Sequence, residues 1–102
     1  MVVKQFKYYD ENNHSPEDLT KESLITGSFL KGAEFDEIKI KAFPGTVVEI
    51  NGTAVVIGDT WNYEIPKREN VKISTVKIID KFDLIENNKK AYFILTGIQH
   101  ED

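Results

Sequence analysis

Two histidines, His14 and His100, and seventeen acidic side chains carry most of the chemical potential of this sequence, and cysteine is absent. Thiolate nucleophiles, disulfides and cysteine-bearing metal sites are therefore excluded. His14 has Asp10, Glu11, Glu17 and Asp18 close in sequence, but that spacing fixes neither tetrahedral nor octahedral coordination. A solvated acidic loop ahead of a helix accounts for the cluster, and no metal or other cofactor is expected.

Nucleophilic serine chemistry needs a positioned base. Ser15 reads better as a helix cap, Ser74 as a strand-break residue, and Ser23 and Ser28 have no supporting partner. Paired carboxylates at separations of about 5–9 Å can hydrolyse glycosidic bonds, and Asp59, Glu64, Asp80 and Asp83 are the residues a small acid-dependent hydrolase would use. With seventeen acids in the chain, such pairs arise by coincidence, so no residue is assigned a catalytic role. Phosphate-binding glycine loops, zincin and EF-hand signatures do not occur, and the six glycines are dispersed along the chain.

The segment Asp59, Thr60, Trp61, Asn62 and Tyr63 is the best binding candidate. A loop tryptophan offers a large contact surface, with Asn62 and Asp59 adding directional hydrogen bonds and Tyr63 a second ring. The competing reading makes Trp61 a lid over one end of the core and Tyr63 a sheet residue. Tyr8, Tyr9, Tyr63 and Tyr92, together with Lys4, Lys7 and Lys67, could instead form a stacking surface for single-stranded nucleic acid. The net charge of −4 opposes attraction to phosphate backbones, so nucleic acid is disfavoured. Lys39, Lys41, Lys72, Lys77 and Lys81 alternate with Asp36, Glu37, Asp80 and Asp83, which reads as a mixed surface.

The elements that must position these residues are mainly strands. Val2 to Tyr9 alternates as a first strand, and Glu37 to Phe43 sets Ile38, Ile40 and Ala42 against Lys39, Lys41 and Phe43. Asn51-Gly52 between Thr46–Ile50 and Thr53–Ile57 is the strongest short hairpin signal. It predicts Ile50 opposite Thr53, Val48 opposite Val55, and Val47 opposite Val56 on the other face. Apolar residues on both faces suggest that part of this hairpin is covered on both sides.

Tyr63 to Ile65 is a short strand ended by Pro66. The apolar phase changes between Val71/Ile73 and Val76/Ile78, which predicts a bulge or break near Ser74 and Thr75. A second hairpin is expected from Val76–Glu86 and Ala91–Ile98 through Asn87–Lys90, with Phe82 facing Leu95, Leu84 facing Phe93, Ile85 facing Tyr92, and Gly97 opposite Asp80, marking a bend against another layer. Ser15 as N-cap and Pro16 at N1 predict a short helix between Ser15 and Ile25. A single turn at residues 16–20 followed by a strand over residues 23–30 is the alternative.

The fold expected is a small, mainly β domain: an antiparallel β-barrel or two-layer β-sandwich of about six or seven strands with one short N-terminal helix. Residues 1–98 form the domain and residues 99–102 a frayed tail. The apolar runs Ala54–Ile57 and Tyr92–Leu95 fall far short of the roughly 18 residues that span a bilayer, so no membrane insertion is expected. The early Lys4 and missing cleavage site give no signal peptide, which points to the cytoplasm, although secretion without a retained signal is compatible with the sequence.

The function expected is a non-catalytic protein-interaction or assembly module whose partner is another protein or a second copy of itself. Tyr9, Phe43, Val47, Val56, Ile79, Ile85 and Ile94 exceed what one small core can hide, which favours a homodimer. A small hydrolase using acidic residues and a single-stranded nucleic-acid-binding barrel are the alternatives.

Overall fold

In the computed structural model of this chain, residues 1–9, 17–80 and 92–100 are described. Eight strands occur among them: β1 (Val2–Tyr9), β2 (Glu17–Asp18), β3 (Glu37–Ala42), β4 (Val47–Ile50), β5 (Thr53–Val56), β6 (Asn62–Ile65), β7 (Val76–Asp80) and β8 (Tyr92–Gln99). They form two sheets, ordered β2-β1-β8-β3-β6 and β5-β4-β7. The sheets do not close into a barrel, and the arrangement is sandwich-like. No helix among the described residues is long and apolar enough to cross a membrane.

The Asn51-Gly52 hairpin has the predicted register, with Ile50 paired to Thr53, Val48 to Val55 and Val47 to Val56. Both turn residues have positive φ, 50° and 84°, as a two-residue turn between right-twisted strands requires. Val48, Ile50 and Ile57 are buried, whereas Val56 is 62% exposed. The expected two-sided cover of part of the hairpin does not extend to β5, which lies at a sheet edge with Ala54 and Val56 exposed, while Val47 and Glu49 on the outer face of β4 are half-buried.

Among the described residues, the predicted C-terminal pairing of β7 with β8 is replaced by other partners. β7 pairs with β4, while β8 lies between β1 and β3, so Leu95 pairs with Phe6 and Ile40, and Phe93 with Tyr8 and Ala42. Phe93 and Leu95 are thus paired on both sides with strands other than the expected residues 82–86. Those residues, and Asn87–Lys90, lie outside the described residues. Asp80 pairs with Val47, not with Gly97. The expected crowding at Gly97 is nevertheless present, because the Phe35 ring of another segment lies over it.

The helix α1 spans Lys21–Thr26, later than predicted. Ser15 and Pro16 lie outside the described residues, and Glu17 and Asp18 pair in parallel with Phe6 and Lys7, which excludes a helix there. Thr20 is the N-cap: its Oγ1 accepts from Ser23 N–H at 3.1 Å and its own N–H donates to Ser23 Oγ at 3.0 Å. This reciprocal arrangement satisfies helix-end groups that otherwise lack partners. The alternative strand over residues 23–30 is absent, since Ser28–Leu30 forms a 3₁₀ turn that buries Phe29 and Leu30.

The predicted break near Ser74 is real. Phe35 and Ile73 form an isolated antiparallel bridge, and β7 begins only at Val76. Both sheets share one core, in which Phe6 meets Phe29 and Phe35 edge-on at 5.4 and 6.2 Å, and Phe29 meets Phe93 at 6.4 Å. These separations suit the quadrupolar attraction between aromatic edges and faces.

Candidate functional site: the Trp61 loop and the cleft beyond β6

The connection from β5 to β6 turns through Gly58, Asp59 and Thr60, with Trp61 N–H donating to Gly58 O at 3.0 Å. Trp61 adopts φ 68°, a left-handed conformation that costs a bulky residue about 1–2 kcal/mol. The conformation is held from two directions. Trp61 O accepts from Ala42 N–H at 3.0 Å, and its ring meets Phe43 edge-on at 4.9 Å. Trp61 remains 36% exposed, so one part of the indole packs on Phe43 and the rest meets solvent.

The companions separate. Asp59 and Asn62 are exposed, and Asn62 Nδ2 donates to Thr60 O at 2.7 Å, closing the loop tip. Tyr63 pairs with Ile40 and is partly buried against the core. Alternation along β6 turns Tyr63 inward and leaves Asn62 on the outer face. Asp59, Trp61 and Asn62 are each exposed, whereas Tyr63 is half-buried.

At the other end of β6, residues Lys67 to Lys72 border an open cleft of about 490 Å³, with Asp36 and His100 on its opposite wall. Asp36 is only 4% exposed, contrary to its reading as a surface charge. Its Oδ1 accepts from Lys72 Nζ and its Oδ2 from the His100 N–H. The Lys72 ammonium, with the His100 backbone donor, holds the Asp36 carboxyl below the usual carboxylate range against the opposing effect of burial. His100 Nε2 lies 2.9 Å from Glu37 Oε1. Gln99 and His100, expected in a frayed tail, are thus engaged: Gln99 pairs with Val2 and donates from Nε2 to Glu34 O at 2.8 Å. Glu101 and Asp102 lie outside the described residues.

Sequence reasoning missed this cleft because its walls are Asp36, residues 67–72 and His100, which no local spacing connects. A depressed carboxylate pKa gives a defined pH dependence. Asp36 stabilises the fold fully above its unfolded value and loses that contribution as pH falls through the lower folded value. Denaturation at several pH values should show the stability advantage of wild type over Asp36→Asn shrinking below about pH 4. A difference independent of pH across that range would show that the carboxylate charge contributes nothing.

Among the described residues, no group of three or more histidine and acidic side chains could hold a metal ion. Compared with known proteins, the chain matches no family model, no curated protein and no solved structure.

Proposed function

We propose that this protein is a non-catalytic interaction module and that Trp61 is the anchor its protein partner covers. The observation that carries the reading is a partly exposed tryptophan held at φ 68° on Phe43. A large aromatic fixed in advance loses little freedom when a partner packs on it. Asn62 and Asp59 border it with exposed polar groups.

A hydrolase sited in the cleft, on Asp36 and not on the expected Asp59, Glu64, Asp80 and Asp83, is less well supported. Both carboxylate oxygens of Asp36 already accept hydrogen bonds, and its depressed pKa is opposite to what a general acid needs. The His100 and Glu37 side chains pair with each other, and among the described residues no hydroxyl side chain lines the cleft. The nucleic-acid alternative needs aromatic rings and lysines on one surface. Of its candidates, Tyr8 and Tyr63 pack against the core, and Lys7 lies on the face of β1 opposite to Tyr8.

The test compares Trp61→Ala with wild type as baits in quantitative affinity capture. A bound protein retained by wild type should be depleted at least about tenfold with the variant, since losing an anchor costs about 2 kcal/mol or more. Equal capture by a folded variant would remove Trp61 from the interface. Because the indole is partly solvated, Trp61→Ala should lower folding stability by less than the roughly 3–5 kcal/mol of a fully buried aromatic. Trp61→Gly should be at least as stable as Trp61→Ala, because glycine relieves the left-handed strain. Urea denaturation of both variants checks that order.

A further inference from the structure

We infer that β5 is a self-association edge, at which a second copy of this chain adds antiparallel to the first. The inference concerns a different surface from Trp61 and stands independently of it. β5 is a terminal strand of its sheet, and Thr53, Ala54, Val55 and Val56 carry neither charge nor proline. Charges, prolines and bulges are the usual means by which natural edges avoid pairing. β6, one of the two terminal strands of the other sheet, has such protection, with Glu64 within it and Pro66 immediately after it. β5 pairs with β4 without a register shift, so its edge is not bent away.

The outward row of backbone groups follows from the hairpin. Ile57 N–H donates to Thr46 O at 2.9 Å, and alternation along the ladder makes Val48/Val55 and Ile50/Thr53 the other hydrogen-bonded pairs. Ala54 and Val56 therefore direct their N–H and C=O groups toward the open side. Neither has a partner on that side among the described residues. The Val56 side chain is 62% exposed, and Ile79 on β7 is 46% exposed.

A twofold axis at Val55 places Ala54 of one copy opposite Val56 of the other, each pair exchanging both backbone bonds. The two sheets then join in the order β7-β4-β5-β5-β4-β7. Small apolar side chains meet across the axis and no like charges face each other. Glu49, the nearest acid on β4, is paired with Lys77 at 3.4 Å. An isologous contact of this kind closes at the dimer and does not propagate. This complementarity of an uncharged edge to itself favours a second copy over a charged peptide.

A four-residue strand gives a contact smaller than the roughly 1,200 Å² of stable complexes. The dimer is accordingly weak and reversible, and screening of the net charge strengthens it.

Sedimentation velocity of the full chain from about 10 to 500 µM tests this, a range set by the small contact area. Wild type should shift toward the dimer with rising concentration, and more so with added salt. Val56→Lys changes a solvated side chain and should remain folded and monomeric. Ala54→Pro deletes an outward N–H and no bond within the sheet, so it should also abolish association. Hydrogen exchange at the amides of Ala54 and Val56 should slow as concentration rises. Wild type that stays monomeric throughout would overturn the inference, as would dimers that persist in either folded variant or amides whose exchange ignores concentration.

Discussion

Replacing Gly97 by alanine should destabilise the fold by about 1–3 kcal/mol, the usual cost of inserting a methyl group into a packed core. A Cβ at that position would lie 2.6–2.7 Å from three ring carbons of Phe35. Neither side can withdraw easily. Gly97 lies in the central strand, paired with Lys4 on one side and Ile38 on the other. Phe35 is fully buried, and its backbone is held by reciprocal bonds to Ile73 of 2.9 and 2.8 Å.

Urea denaturation of Gly97→Ala, Phe35→Leu and the double variant separates this clash from any general weakness of the strand. Phe35→Leu creates space, so the double variant should be more stable than the sum of the single losses predicts, by at least about 0.5 kcal/mol. An alanine variant within about 0.5 kcal/mol of wild type would show that the ring moves aside at little cost.

Asn51→Ala should cost about 1–3 kcal/mol, the second large effect, because one turn residue serves two structures. Asn51 has φ 50°, while its side chain organises the break before β7. Oδ1 accepts from Ser74 N–H at 2.9 Å and Thr75 N–H at 3.2 Å, and Nδ2 donates to Lys72 O at 2.7 Å. The site is exposed, and water replaces part of what is lost, which sets the estimate well below the sum of these bonds.

Asn51→Gly preserves the backbone conformation and removes only the side-chain bonds. It should therefore be about 1 kcal/mol more stable than Asn51→Ala. Amide exchange at Ser74 and Thr75 should accelerate in both variants. Unchanged exchange there would confine the role of Asn51 to the hairpin.

The Asn51-Gly52 hairpin was legible in the sequence because its determinants are neighbours: two residues with positive φ and strands whose register follows from the turn. The core of β3 was legible for a similar reason, with Ile38, Ile40 and Ala42 buried as their alternation predicts. The partners of β8 were not. Asn87–Lys90 has the composition of a turn, and no short-range signal announces that Leu95 pairs with Phe6 across nearly the whole chain.

The helix start shows a different ambiguity. Ser15 and Thr20 offer the same capping chemistry, and the choice depended on Glu17 and Asp18 pairing with β1. The burial of Asp36 was hidden because its ionic partner Lys72 and backbone donor His100 are distant in sequence. For the binding candidates, residue type located the exposed Trp61, but only strand alternation distinguished outward Asn62 from inward Tyr63.

The position of β8 also dictates an order of events during synthesis. β1 and β3 are not neighbours; each pairs with β8. Until residues 92–99 have emerged from the ribosome, the nascent chain holds the two flanking strands without the one that joins them, and Phe6 and Ile40 lack the Leu95 between them. Closing pairs as distant as Val2 with Gln99 requires a large loss of chain entropy before the sheet returns any stability. The hairpin of β4 and β5 can form early, whereas the larger sheet is completed only after translation of its central strand. For that interval the edges of β1 and β3 that face β8 stay open, the kind of strand edge that makes partly folded chains prone to aggregation.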